Sequence, residues 1–178
     1  MIVPPTNTTN EAEWSRVLPE GITFHVTRMP LHLHLEAPLR DDDPLARDLV
    51  AAAGLLAQAG VSAIAYGCTA GSMIEPLDGL PALIARTTGI PGTTTAAALV
   101  DALRAVKAER IVMISPYGPS LQSREEAFFA RQGFEIASSR GSASAKAGRT
   151  NSCAFARCRH RWLSRWRAKR WLPASTRC

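Results

Sequence analysis

The sequence predicts an α/β protein, a parallel sheet with helices on both faces. Three observations carry that expectation. Short apolar runs stand at residues 61–66 and 110–115, as suits strands buried on both faces. Amphipathic helical patterns occupy 44–58, 80–88, 96–107 and 120–132. Strand and helix candidates alternate from residue 1 to residue 137, and alternation of that kind builds a parallel sheet through helical crossovers.

Residues 1–4 suit a first strand, cut short because proline cannot donate to a ladder. Pro5 to Glu11 is dense in small polar groups and leads into a short helix at 11–17, with Thr9 or Asn10 as N-cap. Asn7 is the member expected to face a ligand, since its amide both donates and accepts. Residues 22–28 alternate apolar and polar side chains and read as a second strand. The clearest helix is 44–58, with Leu45, Leu49, Ala52, Ala53 and Leu56 on one face. Asp43 is its expected N-cap and Pro44 its first residue, and Asp41 and Asp42 face the positive end of the helix. After the 61–66 strand, a helix at 80–88 closes on Gly89. A short edge segment at 90–95 enters the 96–107 helix, capped by Thr94 or Thr95. The 110–115 strand, the 120–132 helix and a strand starting at 134–137 complete the pattern.

The chain has 178 residues, room for one domain or one and a fraction, and 46% of them are hydrophobic. No apolar run approaches the roughly 18 residues that would span a bilayer. The first residues show neither a basic region nor an apolar core of a secretory signal. The expectation is therefore a cytoplasmic protein with reduced cysteines and no disulfide framework. The net charge of +6 divides sharply. Residues 1–137 hold ten Lys/Arg and all fifteen Asp/Glu, a net −5, whereas residues 138–178 hold eleven Lys/Arg and no acid.

Chemistry concentrates at Gly67-Cys68-Thr69-Ala70-Gly71-Ser72. Cys68 stands at the carboxyl end of the 61–66 strand, where open α/β sheets bind ligands. The small residues around it let a ligand approach the backbone and leave N–H groups to meet an anion. A buried, inert core cysteine is the competing reading, and the sequence context favours a functional thiol. Tyr117, in the loop after the 110–115 strand, occupies the same kind of position. It reads equally well as a turn residue packed on Pro116 and Pro119. His25, His32 and His34 lack acidic or cysteine partners at settled spacing, so they read as surface histidines and no metal site is assigned.

From Ser138 the composition changes to Arg, Trp, Ser, Ala and Cys. Three readings compete. The segment could be a basic, aromatic tail for nucleic acid or an anionic membrane. It could hold a metal at Cys153, Cys158, His160 and Cys178, though the spacing fits no established zinc pattern. Or the native reading frame is lost there, which a GC-rich gene read out of frame would produce and which is favoured.

Taken together, Pro4-Pro5-Thr6-Asn7-Thr8-Thr9-Asn10-Glu11, Gly67-Cys68-Thr69-Ala70-Gly71-Ser72, Thr88-Gly89-Ile90-Pro91 and Ser115-Pro116-Tyr117 resemble the aspartate/glutamate racemase superfamily. The branch is that of maleate cis-trans isomerase and arylmalonate decarboxylase. The resemblance covers residues 1–142 and rests on the order and spacing of these motifs. It implies two pseudo-symmetric α/β domains with the active site between them, without cofactor or metal. It implies two catalytic cysteines, one per domain, and Cys68 matches the first. In the isomerase branch that thiolate adds to the substrate double bond. The decarboxylase branch has glycine there, so Cys68 implies isomerase- or racemase-like ancestry. Asn7 matches a carboxylate-binding Asn. The N–H groups of Thr69 and Ala70, with the Thr69 hydroxyl, match an anion hole, and Tyr117 matches a carboxylate-binding tyrosine. A donor-rich loop of this kind would depress the thiol pKa.

The second cysteine motif of the family lies beyond residue 142, and nothing after Ser138 matches it. The expected organisation is a first α/β domain at 1–108, the start of a second at 109–137, and a non-native or disordered tail at 138–178. The expected function is a cofactor-independent, isomerase-like protein acting on a small dicarboxylate, impaired by loss of the second cysteine. Arylmalonate decarboxylase or amino-acid racemase chemistry is the alternative within the family. A non-catalytic chain with a nucleic-acid-binding tail is the alternative outside it. No membrane partner is expected, nucleic acid is disfavoured, and a homo-oligomer is left open.

Overall fold

The structure, a computed structural model, describes residues 1–33, 39–74 and 76–141. His34 and the proposed tail cluster of Cys153, Cys158, His160 and Cys178 lie outside them. The chain runs through β1 (Ile2–Val3), α1 (Asn10–Val17), β2 (Thr27–Arg28), α2 (Pro44–Gln58), β3 (Ile64–Tyr66) and α3 (Thr69–Ser72). It continues through α4 (Gly79–Thr88), β4 (Gly92–Thr94), α5 (Thr95–Ala105), β5 (Arg110–Ile114), α6 (Pro119–Arg131) and β6 (Glu135–Arg140). β1 to β4 form one parallel sheet in the order β2-β1-β3-β4, and β5 and β6 form a second, parallel pair. The expected α/β fold, a parallel sheet flanked by helices, is the one observed.

The helices form where the apolar stripe and the end signals agree. Pro44 opens α2, and the predicted stripe of Leu45, Leu49, Ala52, Ala53 and Leu56 is buried. Full burial of one such leucine contributes roughly 1.5–3 kcal/mol. Together with Ile2, Ile64, Tyr66, Leu80 and Ile84 these residues form the larger core. Thr94 caps α5 as predicted, its Oγ1 accepting from Ala97 N–H at 3.1 Å. Gly89, at φ +72°, closes α4. Ala96 and Val100 of α5 pack with Met113, Phe128, Phe129 and Phe134 into a second core. Its aromatic rings meet edge-on, with Phe128 and Phe129 centroids 5.3 Å apart.

Several expectations fail for physical reasons. The second strand is two residues long, not seven. Its partner β1 offers only Ile2 and Val3 for pairing. The alternation at 22–28 instead reflects Phe24 stacking on Trp14 of α1 at 6.0 Å, with Ile22 exposed. Asp43 holds the N-cap position of α2, but its carboxylate accepts from Arg40 N–H at 2.8 Å rather than capping the helix. Asp42 pairs with Arg40 and Asp41 with Arg86, so neither faces the helix end alone. β5 is not buried on both faces: Met113 faces the second core, while Val112 and Ile114 are 65% and 69% exposed. β6 runs three residues past Ala137, to Arg140, so pairing continues into the start of the basic segment.

Candidate active site

The site begins where β3 stops. Gly67 N–H donates to Ile2 O at 2.7 Å, the last rung between β3 and β1. This brings the loop after β1 beside the loop after β3. A Cβ on Gly67 would lie 2.9 Å from Asn10 Nδ2 and 3.0 Å from Met1 Sδ, so a larger residue would push these two side chains aside. Cys68 is the N-cap residue of α3, in extended conformation at φ −135° and ψ 108°. The expected open loop is thus a single helical turn. The N–H groups of Thr69 and Ala70 open that turn, where no acceptor exists inside the helix.

Close packing surrounds the thiol. Cys68 is 7% exposed. A Cβ at Gly71 would sit 2.6 Å from Tyr66 Oη, 3.0 Å from Cys68 Sγ and 3.2 Å from His32 O, so only glycine fits there. Tyr66 Oη is sealed from solvent and makes no well-formed hydrogen bond, with the Cys68 sulfur beside it. Ser72 is 2% exposed and ties α3 to α5, accepting from Ala96 N–H at 3.0 Å while donating to Thr69 O at 3.1 Å.

The expected drop in thiol pKa does not occur. Burial pushes the Cys68 thiol up. The Gly71 N–H and the Tyr66 hydroxyl pull it down, as a donor-rich loop should, but desolvation outweighs them. The free site therefore holds a neutral thiol at neutral pH.

Asn7 stands in the neighbouring loop. Its Oδ1 accepts from Thr9 N–H at 3.1 Å and Asn10 N–H at 3.0 Å. Thr9 holds the N-cap position of α1 as expected, but its side chain makes no cap hydrogen bond, and Asn7 Oδ1 takes the Asn10 N–H instead. These two donors fix the amide orientation and leave its Nδ2 to donate. Arg28 braces this loop, donating to Asn7 O at 2.9 Å and to Glu11 Oε2 at 2.6 Å.

Tyr117 arrives from the second sheet. Its hydroxyl meets the Thr69 side chain and lies within electrostatic reach of Cys68. Burial, then the charges of Glu125 and Cys68, hold its pKa above that of an ordinary phenol, and Thr69 opposes them. Tyr117 is therefore a stable O–H donor. Of the predicted site residues, Cys68, Thr69, Ala70 and Tyr117 gather at one place, and Asn7 stands one strand end away. His25 is exposed, whereas His32 is half-buried and paired with Asp48 at 2.7 Å. Among the described residues no group of three or more His, Cys, Asp or Glu side chains is placed to hold a metal. None of the described helices is long and apolar enough to cross a membrane.

The profile of the arylmalonate decarboxylase family matches residues 1–147. The chain belongs to that family. A maleate isomerase from Pseudomonas putida is 30% identical over 152 residues, which cover 76% of this chain and 59% of that relative. A Nocardia farcinica maleate cis-trans isomerase, solved as a cysteine-to-serine mutant with a covalently bound succinylcysteine intermediate, is similar at a TM-score of 0.66 and 26% identity. That similarity covers 79% of this chain and 61% of the neighbour. A glycine-to-cysteine mutant of arylmalonate decarboxylase with associated sulfate is similar at a TM-score of 0.65 and 25% identity, over 88% and 65% of the two chains. The chain thus spans about three fifths of the length of the isomerases it matches.

In this member of the arylmalonate decarboxylase family, sequence reasoning passed over two residues of α6. Gln122 links the strand ends of the second sheet, taking a hydrogen bond from Ser115 and giving one to Ser139. Glu125 is 3% exposed, and its Oε1 is sealed without a partner. Burial pushes its carboxyl up to about 7, opposed by a hydrogen bond with Ser115. A signal existed in the sequence. Gln122 and Glu125 lie at helical spacing from Phe128 and Phe129, on the stripe that must be buried.

Proposed function

We propose that this chain carries the nucleophilic-cysteine part of a maleate-isomerase-type site for a small cis-dicarboxylate. The observation that carries the reading is the convergence of Cys68 and the opening N–H groups of α3 with Tyr117 from the second sheet. Family membership and the succinylcysteine adduct of the Nocardia neighbour support it.

In this reading solvent hydroxide takes the Cys68 thiol proton, leaving water, and the thiolate Sγ then adds to one alkene carbon. A C–S bond forms, and the π electrons move to the adjacent carbon and into its carboxylate. The Thr69 and Ala70 N–H groups, the Thr69 hydroxyl and Tyr117 Oη hold that developing charge without ionising themselves. Asn7 Nδ2 donates to the other carboxylate. The former double bond is now single and turns. The C–S bond then breaks, the electrons return and the trans alkene leaves. Protonation of the carbanion by solvent water, which leaves as hydroxide, instead gives a succinyl thioether on Cys68. The chain presents one thiol in a small-residue loop, whereas the family resemblance implies two. Adduct formation is therefore expected to outrun turnover.

Dicarboxylate protection tests this reading. Saturating succinate should slow iodoacetamide labelling of Cys68, read by peptide mass mapping, while labelling of Cys153, Cys158 and Cys178 stays unchanged. Equal labelling of Cys68 with and without succinate would remove the reading.

A further inference from the structure

The buried carboxyl of Glu125 lies within electrostatic reach of Tyr117 and has no role in the chemistry above. It is 3% exposed, and Oε1 contacts neither solvent nor a hydrogen-bond donor. The ionisable groups on the elements that pack against α6 face elsewhere. Arg110 of β5 and Glu135 of β6 pair at the surface at 3.0 Å, and Arg140 of β6, Asp101 and Arg104 of α5 and Arg131 of α6 are exposed. On α6 itself, Arg124 turns to Leu33 O. The titratable groups near Glu125 are Tyr117 and, beyond it, Cys68. A carboxylate buried without a cation or a full set of donors is costly, so the neutral acid is favoured there.

The surrounding hydrogen bonds have a direction. Ser115 Oγ has one proton, and Gln122 Oε1 takes it. Gln122 Nε2 donates onward to Ser139. Tyr117 N–H donates into Ser115 Oγ at 3.3 Å. Ser115 also bonds Glu125, a bond that favours the anion, but its one proton is taken by Gln122 Oε1, so the Glu125 carboxylate lacks a full set of donors. Ionised Glu125 would need the Ser115 proton, and the Gln122 amide would have to flip to keep both serines bonded.

We propose that Glu125 is a positioning residue, neutral when the site binds a dicarboxylate, whose ionisation places a negative charge near Tyr117 and expels the ligand. The proposal rests on the dicarboxylate reading above. It predicts that one proton is linked to binding.

The test is calorimetric titration of the full chain with succinate, which has no double bond to attack, on either side of pH 7. Wild-type affinity should fall by about tenfold per pH unit above the midpoint, the slope of one linked proton. Glu125→Gln should lose that slope and keep only the dependence that succinate and Cys68 give both proteins. Ser115→Ala removes the hydrogen bond that favours the anion, so it should move the midpoint to higher pH, and this holds even if Glu125→Gln fails to fold. An identical pH slope in wild type and Glu125→Gln, or an unmoved midpoint in Ser115→Ala, overturns the assignment to Glu125 alone. No succinate binding at any pH overturns the dicarboxylate reading and this proposal with it.

Discussion

Tyr117, in the loop after β5, turns its hydroxyl to Thr69, the first residue of α3. That contact joins the strand ends of the two sheets and places a phenolic donor beside the Cys68 turn. Removing only the hydroxyl tests what the donor does. Tyr117→Phe should keep the fold, because the ring stays. It should weaken succinate binding by about tenfold or more, since a hydrogen bond to a charged group contributes roughly 1.5–3 kcal/mol. Calorimetric titration of both proteins measures this.

In the proposed reading Asn7 has two separable duties. Its Oδ1 accepts from Thr9 and Asn10 N–H at the start of α1, and its Nδ2 is left for a ligand. Asn7→Asp keeps the accepting oxygen and should leave thermal stability nearly unchanged. It replaces the donor with a negative charge and should abolish dicarboxylate binding. Asn7→Ala should lose binding and about 1 kcal/mol of stability together. Thermal melts and succinate titrations of the two variants separate the roles.

Tyr66 Oη is sealed, lacks a well-formed hydrogen bond and lies beside Cys68. An unsatisfied buried hydroxyl costs about 1–3 kcal/mol, so Tyr66→Phe should leave the fold as stable or more so. The same hydroxyl favours the Cys68 thiolate. Its removal should raise the thiol further and move the onset of Cys68 alkylation to higher pH. Iodoacetamide rates against pH, read on the Cys68 peptide, give the direction.

Glu125 makes stability fall as pH rises. In the folded chain its carboxyl keeps its proton up to about 7, against an ordinary value of 4.5. Between those values the unfolded chain binds fewer protons than the folded one, so stability is full below 4.5 and is lost through 7. The loss is on the order of 3 kcal/mol. Glu125→Gln should remove it, so the variant should melt higher than wild type above neutral pH and lose that advantage in acid. Denaturant unfolding at several pH values checks the crossing.

Much of this was legible in the sequence, and the parts that were not share a cause. Periodicity reports a residue's local pattern, so the α2 stripe and the thiol at the end of β3 were both readable. It does not report how long a neighbouring strand is, which is why 22–28 looked like a strand although β1 could pair only two residues of it. Nor does it show which elements cover a strand. Val112 and Ile114 read as core but stand exposed on one face of a two-stranded sheet. The donors around Cys68 were visible in the motif. Their defeat by desolvation was not, because burial depends on Tyr66 and Gly71 closing over the sulfur.

The central claim is that Cys68 adds to a cis-dicarboxylate alkene, and the direct measurement is intact and peptide mass spectrometry after incubation with maleate. The account predicts one succinyl thioether per chain, on the Cys68 peptide, absent from Cys68→Ala and suppressed by excess succinate. A Cys68 peptide that stays unmodified while the chain is folded and binds succinate would contradict it.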